Sequence, residues 1–170
     1  MNEEFKNAIA KKIEKPKQLK RILDALESMG IDTMEKLYVD WLNPRYIEKN
    51  WVYGRYRLYF DDYYNAGMTC KDYDILKEIA EEEDLKRNPF GYVALRNELR
   101  KQVLEHAKGK KIDNSRHVHE VLESYDIYTF QDLIEKTPNA SYRGFDYVGP
   151  KTSEIISAAK FSGMSRYGLI

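Results

Sequence analysis

The sequence has little with which to staple or anchor itself. It holds a single cysteine, Cys70. One thiol cannot close an internal disulfide, so nothing ties the chain to an oxidising compartment. No apolar run reaches the length of a membrane span. The opening residues Met1-Asn2-Glu3-Glu4 lack the basic-then-apolar order of a signal peptide, so a cytoplasmic protein without a membrane partner is the default expectation. Charge of one sign is missing as well, with 28 Lys and Arg against 28 Asp and Glu. That balance excludes a generally basic coat but leaves room for a local basic patch. Strand-like alternation is also absent, since the tyrosine-rich stretches repeat at the helical period.

What is present is material for an all-α core. Apolar residues make up 42% of the 170 positions, and fourteen are tyrosines. Phe5, Ile9 and Ile13 predict a helix over 3–15, which Pro16 ends or follows with the next. Leu19, Ile22, Leu23 and Leu26 form a second stripe, stopped by Gly30. Thr33 is placed to cap a short helix carrying Met34, Leu37 and Tyr38. Tyr56, Tyr59, Phe60 and Tyr63 form a further stripe ended by Gly67. Residues 71–86 read as a helix with Ile75, Leu76 and Ile79 inward, and Glu81 to Asp84 as its exposed acidic end. Asn88-Pro89 reads as a cap and first-turn proline for a helix with Tyr92, Leu95, Leu99 and Val103. Val118, Val121, Leu122 and Tyr125 mark another helix, and Thr129-x-x-Asp132 is a capping box for a short one. Pro150 opens the last helix, with Ile155, Ile156 and Ala159 inward and Gly163 as its stop.

Two of these segments repeat. LESMGIDT at 26–33 matches LESYDIYT at 122–129 in Leu, Glu, Ser, Ile and Thr, with a constant separation of 96 residues. The same offset pairs Leu37 with Leu133, Gly67 with Gly163, and Met68 with Met164. The matched stops and caps favour an internal duplication. The expected organisation is an N-terminal helix plus a first unit over 1–69, connecting helices over 70–114, and a second unit over 115–170.

One turn carries chemical content. In Val148-Gly149-Pro150-Lys151-Thr152, Gly149 permits a tight bend, and Pro150 suits the first helical position because it has no amide hydrogen to leave unpaired. The amides of Lys151 and Thr152 then head a helix, where backbone donors favour phosphate. Lys151 adds charge and Thr152 a hydroxyl. Such contacts read backbone rather than base sequence.

This turn resembles the second half of a helix-hairpin-helix motif, with Tyr147 in place of the first hairpin glycine. The wider segment 115–165 is similar to the C-terminal domain of the bacterial RNA polymerase α subunit, through Val118 to Tyr125, Thr129 to Leu133, Thr137 and Val148 to Thr152. A degenerate second copy lies at 21–69, with the turn changed to Val52-Tyr53-Gly54-Arg55-Tyr56-Arg57. The resemblance implies tandem helix-hairpin-helix-like (SAM-domain-like) units and a turn lying on the minor-groove side of double-stranded DNA. It makes Gly149, Lys151, Thr152, Arg143, Arg116 and Asn114 the candidate DNA-binding residues. The family's first-helix arginine and asparagine positions fall on His117 and Glu120 in the second unit, and on Arg21 and Asp24 in the first.

The first unit offers a possible partner surface in Arg21, Arg45, Trp51, Tyr53, Arg55 and Arg57, where basic and aromatic residues interleave. Lys6, Lys11, Lys12, Lys15, Lys17, Lys20 and Arg21 form one basic run, and Lys108, Lys110, Lys111 and Arg116 another. No catalytic constellation is visible. His117 and His119 are two apart and face differently on a helix, which leaves no metal set with His106. Cys70 has no evident histidine partner. The expectation is a non-enzyme without cofactor, metal or small-molecule substrate. It is a DNA-binding accessory or transcription-related protein, or alternatively a protein–protein adaptor or inhibitor that binds a nucleic-acid-processing protein.

Overall fold

The computed structural model describes residues 1–42, 62–106, 115–136 and 149–170, with Trp41, Leu42, Ser115 and Arg116 by backbone alone. Among these residues every regular element is helical, as expected. The chain divides into two compact units, Met1–Lys86 and Arg87–Ile170. The helices expected as a connecting section over 70–114 are thereby divided, the first falling almost wholly in the first unit and the second in the second.

The first unit contains α1 (Glu3–Ala10), α2 (Pro16–Ser28), α3 (Met34–Leu42) and α4 (Cys70–Arg87). Asn2 caps α1 by accepting from the Glu4 amide at 2.8 Å, and Glu3 and Glu4 suit the positive end of the helix dipole. Phe5 and Ile9, one turn apart, are buried. Each such side chain contributes roughly 1.5–3 kcal/mol relative to exposure. The helix stops at Ala10 rather than running to residue 15. The Lys12 and Ile13 amides close tighter turns onto the Ile9 and Ala10 carbonyls, and Ile13 is still delivered to the core. Pro16 opens α2, whose Ile22, Ala25 and Leu26 face inward. Tyr63 is fully buried, meets Tyr73 edge-on at 5.6 Å, and donates to Asp40 at 2.7 Å. The acidic end of α4 is not simply exposed. Asp84 is buried and accepts a 2.9 Å hydrogen bond from the Tyr38 hydroxyl, which gives its carboxylate a donor away from water.

The second unit contains α5 (Tyr92–His106), α6 (Ser115–Glu123), α7 (Phe130–Lys136) and α8 (Pro150–Arg166). Its core joins Leu95, Leu99 and Val103 of α5 to Val118 and Leu122 of α6, Phe130 and Leu133 of α7, and Ile155, Ile156 and Ala159 of α8. Pro89 does not begin α5. Residues 88–91 form a turn closed by the Gly91 amide on the Asn88 carbonyl at 2.9 Å, and the helix starts at Tyr92. The Phe90 carbonyl accepts from the Gln131 amide, and the Gly91 carbonyl accepts from Phe130 as well as from Leu95 of α5, which docks the start of α5 on α7. Gly163 does not stop α8 either. The helix continues to Arg166, and Gly163 is buried where a Cβ would fall 1.7 Å from Phe130 Cζ. Its role is close helix packing. The stop is Gly168, with φ +69° and the Leu169 amide bonded to the Met164 carbonyl at 2.8 Å.

The repeated segments share their backbone in detail. The Ile31 amide bonds to the Leu26 carbonyl at 2.9 Å, and the Ile127 amide to the Leu122 carbonyl at 3.0 Å. Ser28 Oγ donates to the Ala25 carbonyl as Ser124 Oγ does to that of Val121. Thr33 Oγ1 accepts from the Lys36 amide as Thr129 Oγ1 does from that of Asp132. Every pair stands 96 residues apart. The offset fails at the last matched position. Gly67 ends its segment with φ +99° and the Met68 amide on the Tyr63 carbonyl, and the like feature in the second unit is Gly168-Leu169, not Gly163-Met164.

Candidate nucleic-acid interface

The start of α8 is built from a glycine, a proline and a lysine that the chain leaves in water. Gly149 is extended (φ −68°, ψ 160°) at the N-cap and contributes no side chain to it. Pro150 holds the first helical position, and Gly149, Pro150 and Lys151 are all exposed. The first intrahelical bond runs from the Ser153 amide to the Gly149 carbonyl at 3.0 Å. The amides of Lys151 and Thr152 therefore precede the ladder, and they have no acceptor among the described residues. No acidic residue stands in the first turn, and Glu154 is exposed in the next. Thr152 is half-buried, while Ser153, Ile155 and Ile156 turn inward and fix the helix on the core. Among the described residues this is an open helix end with two free donors and one unpaired cation, an arrangement suited to a phosphate oxygen.

The remaining candidates of the second unit, Arg143, Asn114 and the side chain of Arg116, lie outside the described residues. What holds α8 beside its neighbours is clear without them. Asp132 Oδ2 accepts from the Tyr128 and Thr129 amides, each at 3.0 Å, while Thr129 Oγ1 accepts from the Asp132 amide at 3.0 Å. The predicted capping box is thus formed. Burial pushes the Asp132 carboxyl up, but these two amides, the Thr129 hydroxyl and Lys136 outweigh it and leave it below the usual range. Phe130, set by that cap, packs on Gly163 of α8.

In the first unit, Arg45, Trp51, Tyr53, Arg55 and Arg57 lie outside the described residues. Arg21 is described and is not a free partner-seeking cation. Its Nε and Nη2 donate to the two oxygens of Asp72 at 2.8 and 2.9 Å. Asp72 is fully buried and also accepts from Gln18 Nε2 at 2.9 Å and from the Thr69 amide at 2.8 Å. Burial raises the Asp72 carboxyl, but Arg21, Thr69 and Gln18 together hold it far below the ordinary carboxylate range. Arg21 is thus half of a lock between α2 and α4, with its Nε–Nη2 edge taken up by Asp72. The sequence carried a signal for this carboxylate. Thr69-x-x-Asp72 has the same capping-box spacing as Thr129-x-x-Asp132, and the Asp72 amide lies 3.4 Å from Thr69 Oγ1.

The histidines separate as their spacing predicts, His117 exposed and His119 buried against the Tyr92 ring at 5.7 Å. Among the described residues no group of three His, Cys, Asp or Glu side chains is placed to hold a metal ion. Among the same residues no helix is long and apolar enough to cross a membrane. Compared with protein-family models, curated proteins and solved structures, the chain has no match.

Proposed function

We propose that this protein is a non-catalytic, transcription-related or accessory factor that binds double-stranded DNA by its phosphate backbone. The contact is the turn Gly149–Thr152 of a helix-hairpin-helix-like second unit. The observation that carries this reading is the open start of α8, where the Lys151 and Thr152 amides have no acceptor among the described residues and the first turn holds no carboxylate. Backbone contact of this kind needs few charges, which is consistent with a chain of zero net charge.

The test is fluorescence anisotropy of a labelled duplex at two salt concentrations. Lys151→Ala is expected to weaken binding about three- to tenfold and to reduce the slope of log K against log salt by about 0.9, the value for one phosphate. A wild-type protein that binds no duplex at low salt refutes the reading. The alternative, a protein–protein adaptor, draws support from Phe161, Leu169 and Ile170, large apolar residues of the second unit that stand 67%, 50% and 62% exposed.

A further inference from the structure

The basic run near the N-terminus is sorted by the fold into cations that are used and cations that are not. Lys6 pairs with Glu3, Lys12 with Glu78 and Glu82, Lys20 with Asp24, and Arg21 with Asp72. Later in the same unit Lys36, Lys77 and Lys86 also have carboxylates within 4.0 Å. Four described lysines of the unit have none: Lys11, Lys15, Lys17 and Lys71, all exposed.

Lys11, Lys15 and Lys17 follow one another through the α1–α2 turn, and Lys71 stands at the start of α4, whose next residue is bonded to the neighbour of Lys17. Ile13 is buried and pins the α1–α2 turn to the core, with Lys11 and Lys15 on either side of it in sequence. Lys17 adjoins Gln18, and Lys71 adjoins Asp72. The 2.9 Å bond from Gln18 Nε2 to Asp72 Oδ1 brings the first turns of α2 and α4 together, so both lysines stand at that junction. With Lys12 and its partners Glu78 and Glu82 counted beside the exposed Glu14 and Asp74, the five lysines 11, 12, 15, 17 and 71 meet four carboxylates, a margin of one positive charge, and the four unpaired ammonium groups remain open to solvent. The α2 start repeats the order found at α8, a proline at the first position followed by lysine, with no acid in the first turn.

We propose that the α1–α2 turn and the start of α4 form a second contact for duplex DNA, in which Lys11, Lys15, Lys17 and Lys71 meet consecutive backbone phosphates. A chain that pairs its other described lysines and arginines here, yet leaves these four unpaired, has a surface suited to a linear polyanion. The proposal rests on the DNA-binding reading above, but it involves none of the residues that carry that reading.

The experiment compares full-length variants on one duplex by anisotropy across a salt series, with circular dichroism to verify folding. The triple variant Lys11→Gln, Lys15→Gln, Lys17→Gln is expected to lose about tenfold or more in affinity near physiological salt, and its salt slope is expected to fall by about 2 to 3. Adding Lys71→Gln lowers both further. A charge-matched control, Lys6→Gln, Lys36→Gln, Lys77→Gln, is expected to bind nearly as the wild type. Wild-type affinity and slope in the triple variant, or an equal loss in the control, overturn the proposal. If the triple variant loses affinity while Lys151→Ala does not, the α8 reading fails and this surface stands. The reverse outcome refutes this surface alone, and a wild type that binds no duplex refutes both.

Discussion

Gly30 and Asp126 stand at equivalent places in the two units, 96 residues apart, and both have left-handed backbones, with φ of +72° and +56°. Each ends a helix by letting the next amide return to a leucine carbonyl, Ile31 to Leu26 and Ile127 to Leu122. Asp126 is the one described non-glycine residue with positive φ. Aspartate tolerates this region better than most side chains, and the Lys136 ammonium donates to its carbonyl. Two different residues thus make the same turn because the six-residue bond, not the side chain, defines it.

Gly30→Ala is therefore expected to destabilise the first unit by about 1 kcal/mol. A Cβ at Gly30 meets nothing within 4 Å, so the whole cost is backbone conformation. The denaturant midpoint measures it, and an unchanged midpoint contradicts the left-handed turn.

Removing Asp72 is expected to cost much more, about 3 kcal/mol for Asp72→Ala, because Arg21 and the Thr69 amide lose a buried acceptor together. The pH dependence follows from the depressed carboxyl. Stability from this group is fully present above the unfolded-state pKa of about 4 and is lost as pH falls through that value towards the folded-state one. Thermal melts from pH 6 down to pH 2 should show an acid-side loss in the wild type that is smaller in Asp72→Asn.

Gly163→Ala is expected to destabilise the second unit by about 1–3 kcal/mol through overpacking on the Phe130 ring. Trimming that ring should relieve it. Phe130→Leu combined with Gly163→Ala is expected to cost less than the two single changes added together. Additive losses in a double-mutant cycle would mean that the two residues do not touch.

Much of the fold was legible in order along the chain. The stripes Phe5–Ile9, Ile22–Leu26, Leu95–Leu99 and Ile155–Ile156 all face the cores, and the Thr129–Asp132 cap formed as spaced. Such features depend on neighbours within a turn or two, which the sequence lists directly. Two positions differ because a distant partner intervenes. Gly163 looked like a stop, yet it is where Phe130 needs room. Pro89 looked like a helix start, yet the carbonyls after it accept from α7 amides.

The amino-acid order alone determined the all-α class, most helix limits, the 96-residue repeat and the proline-led start of α8, because periodicity, caps and helix-breaking residues act locally. Tertiary structure alone decided which charges are spent. Arg21 and Lys20 are adjacent in sequence, yet one closes on a buried carboxylate 51 residues away and the other on an exposed one a single turn along. Lys11 and Lys12 differ in the same way, the second held by Glu78 and Glu82 and the first left in solvent. Coulomb attraction depends on distance in space, and only the folded chain sets those distances.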